Sequence, residues 1–273
     1  MLGSTGSVSV WSRRTQHGTA VIVGAVHTLG QGWFGPADTA VAEAIVDPSS
    51  QMGVPRLFLL LPDGSGPDPL ASPWFGLYNP SIAAERNNNR MQDVLPREDF
   101  YVAATDRQKL DVSGLPPVPE RIVHGQVPLY DPLNTTAIAP TFAETQPGVL
   151  VLVLGYPNET GELTAGVGRV LSDDDASRAV DELAALGDPE GSIAYDAEAE
   201  MIIEGAAMAG MSGGPVVDEQ GRLVGVLVRA TSDHQGVQYV RAVRMSYVAD
   251  RVAAAFDALP LDTQRAIAGY LER

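Results

Sequence analysis

From Gly148 to Arg244 the chain is cut into apolar runs that are too short for ordinary helices and recur too often for anything but a sheet. The runs are GVLVLVLGYP (148–157), TAGVGRVLS (164–172), AEMIIEG (199–205), GGPVVD (213–218), RLVGVLVRAT (222–231) and VQYVRAVR (237–244). They are rich in Val, Leu and Ile, with Gly, Pro, Asn and Asp in the stretches between, which is the pattern of β-strands joined by turns. One helix is expected among them, capped by Ser172 and Asp173 and running through DDASRAVDELAALG to Gly187. The tail, residues 246–273, has helical spacing interrupted at Pro260.

The first half is less regular. SVSVWSRRTQHGTAVIVGAVHTLG (7–30) reads as strand, turn, strand, with Gly18 closing the turn. From Gly30 to about Leu77 the chain is broken by Gly and Pro, with one buried strand expected at PRLFLLLP (55–62). Asn79 and Pro80 look like a helix start for residues 81–94, a capping Asn followed by Pro in the first turn. DFYVAAT (99–105) is a further strand candidate, and the Pro-rich SGLPPVPERI (113–122) a plausible domain boundary. Many short strands, few helices and a late terminal helix indicate an all-β architecture of two barrels or two sandwiches.

Length and charge narrow the function. The 273 residues suffice for one large domain or two modest ones with real cores, and 45% hydrophobic with 19% charged residues is a globular composition. No apolar run nears the ~18 residues of a membrane span, and the start MLGSTGSVSVWSRR lacks the pattern of a signal peptide. The net charge of −16 argues against binding nucleic acid through its phosphates. Without cysteine there are no disulfides, thiolate metal sites or cysteine nucleophile.

One stretch carries chemistry. In AGMSGGPVVDEQGRLVGVLV (209–228), Ser212 sits between glycines that leave room for a carbonyl to approach the backbone. A tight loop there can aim two N–H groups at one point, as an oxyanion requires. Gly210 to Gly214 also satisfies G-x-S-x-G, but the nucleophile elbow of α/β hydrolases needs a helix directly after the serine. Here Pro215-Val216-Val217 leads into a strand, so that reading fails. A serine needs an imidazole as base and a carboxylate to orient it. Of the four histidines, His17, His124 and His234 fall in polar loops, where solvated side chains are expected. His27 ends the apolar run VIVGAVHTL, where a half-buried imidazole would be held rigidly.

Taken together, these residues resemble the trypsin-like (chymotrypsin-fold) serine peptidases of the bacterial, cysteine-free kind. MSGGPVVDEQGRLVGVLV is similar to that family's nucleophile loop and following hairpin, VIVGAVHTL to the strand bearing its histidine, and DFYVAAT to the strand bearing its acid. The order His27, Asp99, Ser212 is the family's order, and the likeness runs from about Ser7 to Tyr247.

The resemblance implies two six-stranded antiparallel β-barrels with an intermediate helix and C-terminal helices. The first (1–120) would carry His27 and Asp99 around a long insertion (about 30–92), the second (121–245) Ser212, and 246–273 would be a helical tail. Ser212 would attack a carbonyl, His27 would act as general base and then acid, and Asp99 would fix the imidazole tautomer, ahead of Asp93 and Asp106. Backbone N–H groups of Gly210 and Ser212 would form the oxyanion hole, without cofactor or metal. Ala206 matches the base of the primary pocket, Ala230 and Gly236 its walls, and Arg229 replaces a common aromatic lining residue. Val228 stands where many members carry a serine touching the acid.

Without a carboxylate at Ala206, a small or medium apolar residue is expected before the scissile bond, with Arg229, if turned inward, able to recruit an acidic one. The function implied is a serine endopeptidase acting on peptide or protein substrates, with a protein partner conceivable at the insertion. The alternatives are a catalytically silent binding or scaffolding protein on the same fold and an esterase or acyl transferase. The resemblance suggests a secreted or envelope location, and a cytoplasmic role stays open.

Overall fold

The computed structural model describes residues 6–14, 19–29, 74–78, 95–106, 123–124, 127–128, 142–160, 162–257 and 261. The second half is a closed barrel. Its six strands are β7 (Leu150–Gly155), β8 (Thr164–Val170), β9 (Glu200–Gly205), β10 (Pro215–Val217), β11 (Leu223–Ala230) and β12 (Tyr239–Arg244). They close in the order β10-β11-β12-β9-β8-β7, every neighbouring pair antiparallel. All six correspond to the apolar runs of the sequence. The helix α1 (Asp173–Leu186) follows β8: Ser172 Oγ accepts from the Asp175 N–H, and Gly187 ends it with φ of 75°. A second helix, α2 (Met245–Asp257), follows β12 directly.

The first half carries a four-stranded antiparallel sheet among the described residues. Its strands are β1 (Val8–Arg14), β2 (Thr19–Gly24), β3 (Trp74–Tyr78) and β4 (Tyr101–Asp106), in the order β1-β2-β4-β3. This is not yet the six-stranded barrel expected. β3 lies within the stretch read as an insertion (about 30–92), and its Trp74–Gly76 pair with Ala103–Thr105 of β4. The expected strand at 55–62 and helix at 81–94 lie outside the described residues, as does the break at Pro260. A two-stranded hairpin, β5 (Val123–His124) with β6 (Val127–Pro128), stands between the halves in sequence.

One apolar core joins the two halves. Val21, Val23 and Val102 of the first sheet, with Phe100 just before β4, cluster with Leu154, Val217, Val226 and Val243 of the barrel and with Val248 and Val252 of α2. Phe100 meets Tyr247 of α2 edge to face, ring centres 6.2 Å apart. The acid-bearing segment is thereby fixed against the far end of the chain. No helix among the described residues is long and apolar enough to cross a membrane.

Candidate active site

β2 is buried on both faces at Val21, Ile22 and Val23 and stops at Gly24, where any Cβ would run into the Tyr101 ring. The chain then coils into a short 3-10 turn, Val26–Leu29, closed by the Thr28 N–H and hydroxyl donating to the Ala25 carbonyl. His27 therefore sits in this turn and not at the end of the strand, although its side chain is half-buried as expected, at 22% exposure.

The turn presents His27 to Asp99, which ends a second short turn (Pro96–Glu98) just before β4 and is fully buried. Asp99 Oδ1 accepts the His27 backbone N–H at 2.9 Å, and Oδ2 lies 2.7 Å from Nδ1. A carboxylate only accepts, so this contact places the ring proton on Nδ1 and leaves Nε2 with its lone pair.

The loop Ala209–Gly214 is held by its carbonyls. Ala209 C=O accepts from the Asn158 N–H, Gly210 C=O from the Ser7 hydroxyl, Met211 C=O from the Gly214 N–H, and Ser212 C=O from the Ser7 N–H. Ser7 Oγ in turn accepts from the Tyr156 N–H, and the Ser9 hydroxyl donates to Gly213 C=O. The N–H groups of Met211, Gly213 and Gly214 are bonded to Met208, Leu227 and Met211 carbonyls. Those of Gly210 and Ser212 have no backbone acceptor among the described residues. Since every described peptide is trans, each points opposite to the carbonyl of its own peptide unit, which is already tied into the protein.

Gly210 and Gly213 have φ of 98° and 87°, the left-handed region that glycine enters without penalty. At Gly213 a Cβ would also strike the Ser7 carbonyl, so the two halves approach backbone to backbone.

His27 and Ser212 line one cleft of about 400 Å3. Its further walls include Ala207, Val228, Arg229 and Ala230. Two expected positions move. The cleft is lined by Ala207, whereas Ala206 is exposed with its carbonyl turned to Gly166. Gln238 takes the place expected of Gly236, because His234 and Val237 bridge and turn Gln235-Gly236 into an exposed tip. Gln238 joins the walls: its amide donates to the Ala207 and Thr231 carbonyls and its oxygen accepts from the Ala207 N–H.

Glu190, in the 3-10 turn Pro189–Ser192, adds a carboxylate to the wall. Its Oε1 lies 3.5 Å from Arg229 Nη1, and Arg229 Nε lies 4.0 Å from Asp99 Oδ2. Burial raises the Glu190 carboxyl above its ordinary range, against the pull of Arg229 and Arg241.

Two clamps hold this turn. The fully buried Arg241 donates to the Glu200 carboxylate at 2.9 Å and to the carbonyls of Glu190, Ile193 and Ala194. Asp188 accepts from the Glu190 and Ser232 N–H groups and lies 2.9 Å from His234 Nε2. Burial would lift the Asp188 carboxyl, but these hydrogen bonds hold it below its ordinary range. His234 is thus paired, where a solvated loop side chain was expected.

A family model for the trypsin-like peptidase domain matches residues 85–226, a little over half of the chain. The chain belongs to the trypsin-like peptidase domain family. The matched span takes in Asp99 and Ser212 and begins after His27. Among solved structures, this trypsin-like domain is similar to the HtrA-type protease AlgW with decapeptide, at 14% identity and TM-score 0.43, over 93% of this chain and 52% of that one. It is also similar to the inactive form of the Rv3671c protease, at 14% identity and TM-score 0.39, over 92% and 88%. The chain spans about half the length of the HtrA-type structures it matches. No curated protein sequence matches it.

Sequence reasoning missed Ser7, Glu190, Gln238 and the Asp188–His234 pair in this trypsin-like domain. Only Ser7 left a signal: the alternation Ser-Val-Ser-Val puts Ser7 and Ser9 on one face of a strand. Glu190 follows a helix end, where an inward carboxylate has no distinctive spacing. Among the described residues no group of three or more His, Asp or Glu side chains is arranged to hold a metal ion.

Proposed function

We propose that the protein is a serine endopeptidase in which Ser212 is the nucleophile, His27 its general base and Asp99 the group that orients His27. The observation that carries this reading is the doubly bonded His27–Asp99 pair opening onto the cleft that Ser212 also lines. With its proton on Nδ1, His27 offers Nε2 to take the Ser212 proton as Oγ attacks a peptide carbonyl. The N–H groups of Gly210 and Ser212 receive the developing oxyanion, each such donor being worth ~100- to 1000-fold in rate. The imidazolium then protonates the leaving amine, and water repeats the sequence on the acyl-enzyme. Gln238, tied across the pocket to Ala207 and Thr231, limits its depth and favours a small or medium side chain before the scissile bond.

The test is labelling with a fluorophosphonate, wild type beside Ser212→Ala and His27→Ala, read by intact mass and peptide map. One adduct on Ser212, absent from both variants, is expected. A folded wild type that takes up no label would sink the reading and leave a binding protein on a peptidase fold. A panel of peptides and short-chain esters then separates peptidase from esterase.

A further inference from the structure

Val228 stands where the resemblance places a serine hydroxyl beside the buried acid, and valine has no donor to offer. β11 is irregular at this point: its pairing with β12 slips between Leu227 and Arg229. Such a bulge breaks the strict alternation of a strand and re-aims a side chain. Here Leu227, Val228 and Arg229 all reach the cleft. The guanidinium of Arg229, only 15% exposed, comes to 4.0 Å from Asp99 Oδ2, the same oxygen that lies 2.7 Å from His27 Nδ1. Its other end is tethered to Glu190 at 3.5 Å.

We propose that Arg229 is a positioning residue that sets the charge balance of the Asp99–His27 pair, with Glu190 as its counterweight. This rests on the serine-peptidase reading of the same site. The electrostatics have a definite sign. A cation beside Asp99 favours the ionised carboxylate but disfavours a second cation on the neighbouring imidazole. Arg229 thus opposes a second positive charge on the His27 ring, and Glu190, by partly neutralising Arg229, limits that opposition.

The other charged groups nearby are constant or internally paired. Arg241 approaches Glu190 Oε2 at 3.8 Å and is itself bonded to Glu200. Asp188 pairs with His234 behind the Glu190 turn. Glu98 adjoins Asp99 in sequence, and the buried Tyr101 hydroxyl lies across Gly24. None of these residues is itself replaced in the variants below, and Arg241 keeps Glu200 as its partner when Glu190→Gln removes the more distant carboxylate.

The test needs no turnover. The full chain, labelled in its histidine rings, is titrated by NMR, with the His27 signal assigned from its loss in His27→Gln. Removing the cation in Arg229→Met should move the His27 midpoint up by roughly one pH unit, the scale of one partly buried charge a few ångströms away. Arg229→Lys should restore most of it. Glu190→Gln should move the midpoint the opposite way, and that opposition of sign is what a merely structural role would not produce. Should Arg229→Met fail to fold, Glu190→Gln decides alone.

The acid limb of fluorophosphonate labelling should shift in parallel. A His27 midpoint within ~0.2 units of wild type in the folded variants overturns the proposal, making Arg229 a structural tether. If the midpoints move as stated but wild type takes no label, the coupling stands and the peptidase reading falls.

Discussion

The two halves of the molecule reach stability differently. The barrel is self-contained: each of its six strands is paired on both sides, and a buried ion pair, Arg241–Glu200, lies inside its wall. The four-stranded sheet ends, among the described residues, in β1 and β3, and its apolar face is sealed by the barrel and α2. The self-contained half carries Ser212 and most of the cleft wall, whereas the dependent half carries His27 and Asp99. The proposed chemistry would sit on the seam, so its geometry would be only as good as the docking of the second half on the first.

The largest expected effect comes from opening the self-contained half. Arg241→Met leaves Glu190, Ile193, Ala194 and Glu200 without their donor and should cost ~3–5 kcal/mol, since a buried carboxylate loses its partner. All three tryptophans, Trp11, Trp33 and Trp74, lie in the first half. If that half depends on the barrel, urea unfolding followed by tryptophan emission should coincide with unfolding followed by far-UV circular dichroism. Two separated transitions would break the comparison.

Next in size is the seam. Gly213→Ala puts a methyl group into the Ser7 carbonyl at a φ of 87° and should cost ~1–3 kcal/mol while sharply slowing Ser212 labelling. Ser7→Ala is subtler. It removes the hydroxyl between Gly210 C=O and the Tyr156 N–H, at about 1 kcal/mol of stability. Labelling should slow by roughly tenfold, equivalent to ~1.4 kcal/mol of loosened loop. An unchanged labelling rate would show that the loop holds itself.

The smallest effect is a pH dependence. Hydrogen bonds hold Asp188 below its ordinary value, so its contribution is present above the usual aspartate pKa near 4 and is lost as pH falls through that range. Glu190 and Glu200, raised by burial, act with the opposite sign, because the native state takes up protons before the unfolded chain does. The difference between wild type and His234→Ala in urea midpoints from pH 3 to 6 reads the share carried by the Asp188–His234 pair. Parallel curves would remove the clamp from the account.

The same contrast explains what the sequence could convey. All six barrel strands and α1 were readable because each is a local matter: β-branched runs between turns, and a capping Ser and Gly around an amphipathic segment. Ser212 stood out because its glycines serve the backbone of its own loop, and Asp99 because it opens an apolar strand. Glu190 was invisible because what matters is which way it faces, which Arg241, some fifty residues on, decides. Ala207 and Gln238 line the cleft near where Ala206 and Gly236 were expected, for a related reason: turn geometry decides which residues face a pocket, and a family pattern without coordinates cannot register that. Arg229 reaches Asp99 only because β11 is irregular, a feature of strand pairing and not of composition.

The contacts of Ser7 and Ser9 with the Ala209–Gly214 loop span 203 and 204 residues of sequence. Loop closure over such a distance is among the slowest events in building a sheet protein. During synthesis the base and its acid leave the ribosome more than a hundred residues before the serine they would activate. The loop bearing that serine cannot be finished until the first strand returns to it. Catalytic competence on the proposed reading is therefore the last property the folding chain acquires, and a half-folded molecule lacks the means to cut its neighbours.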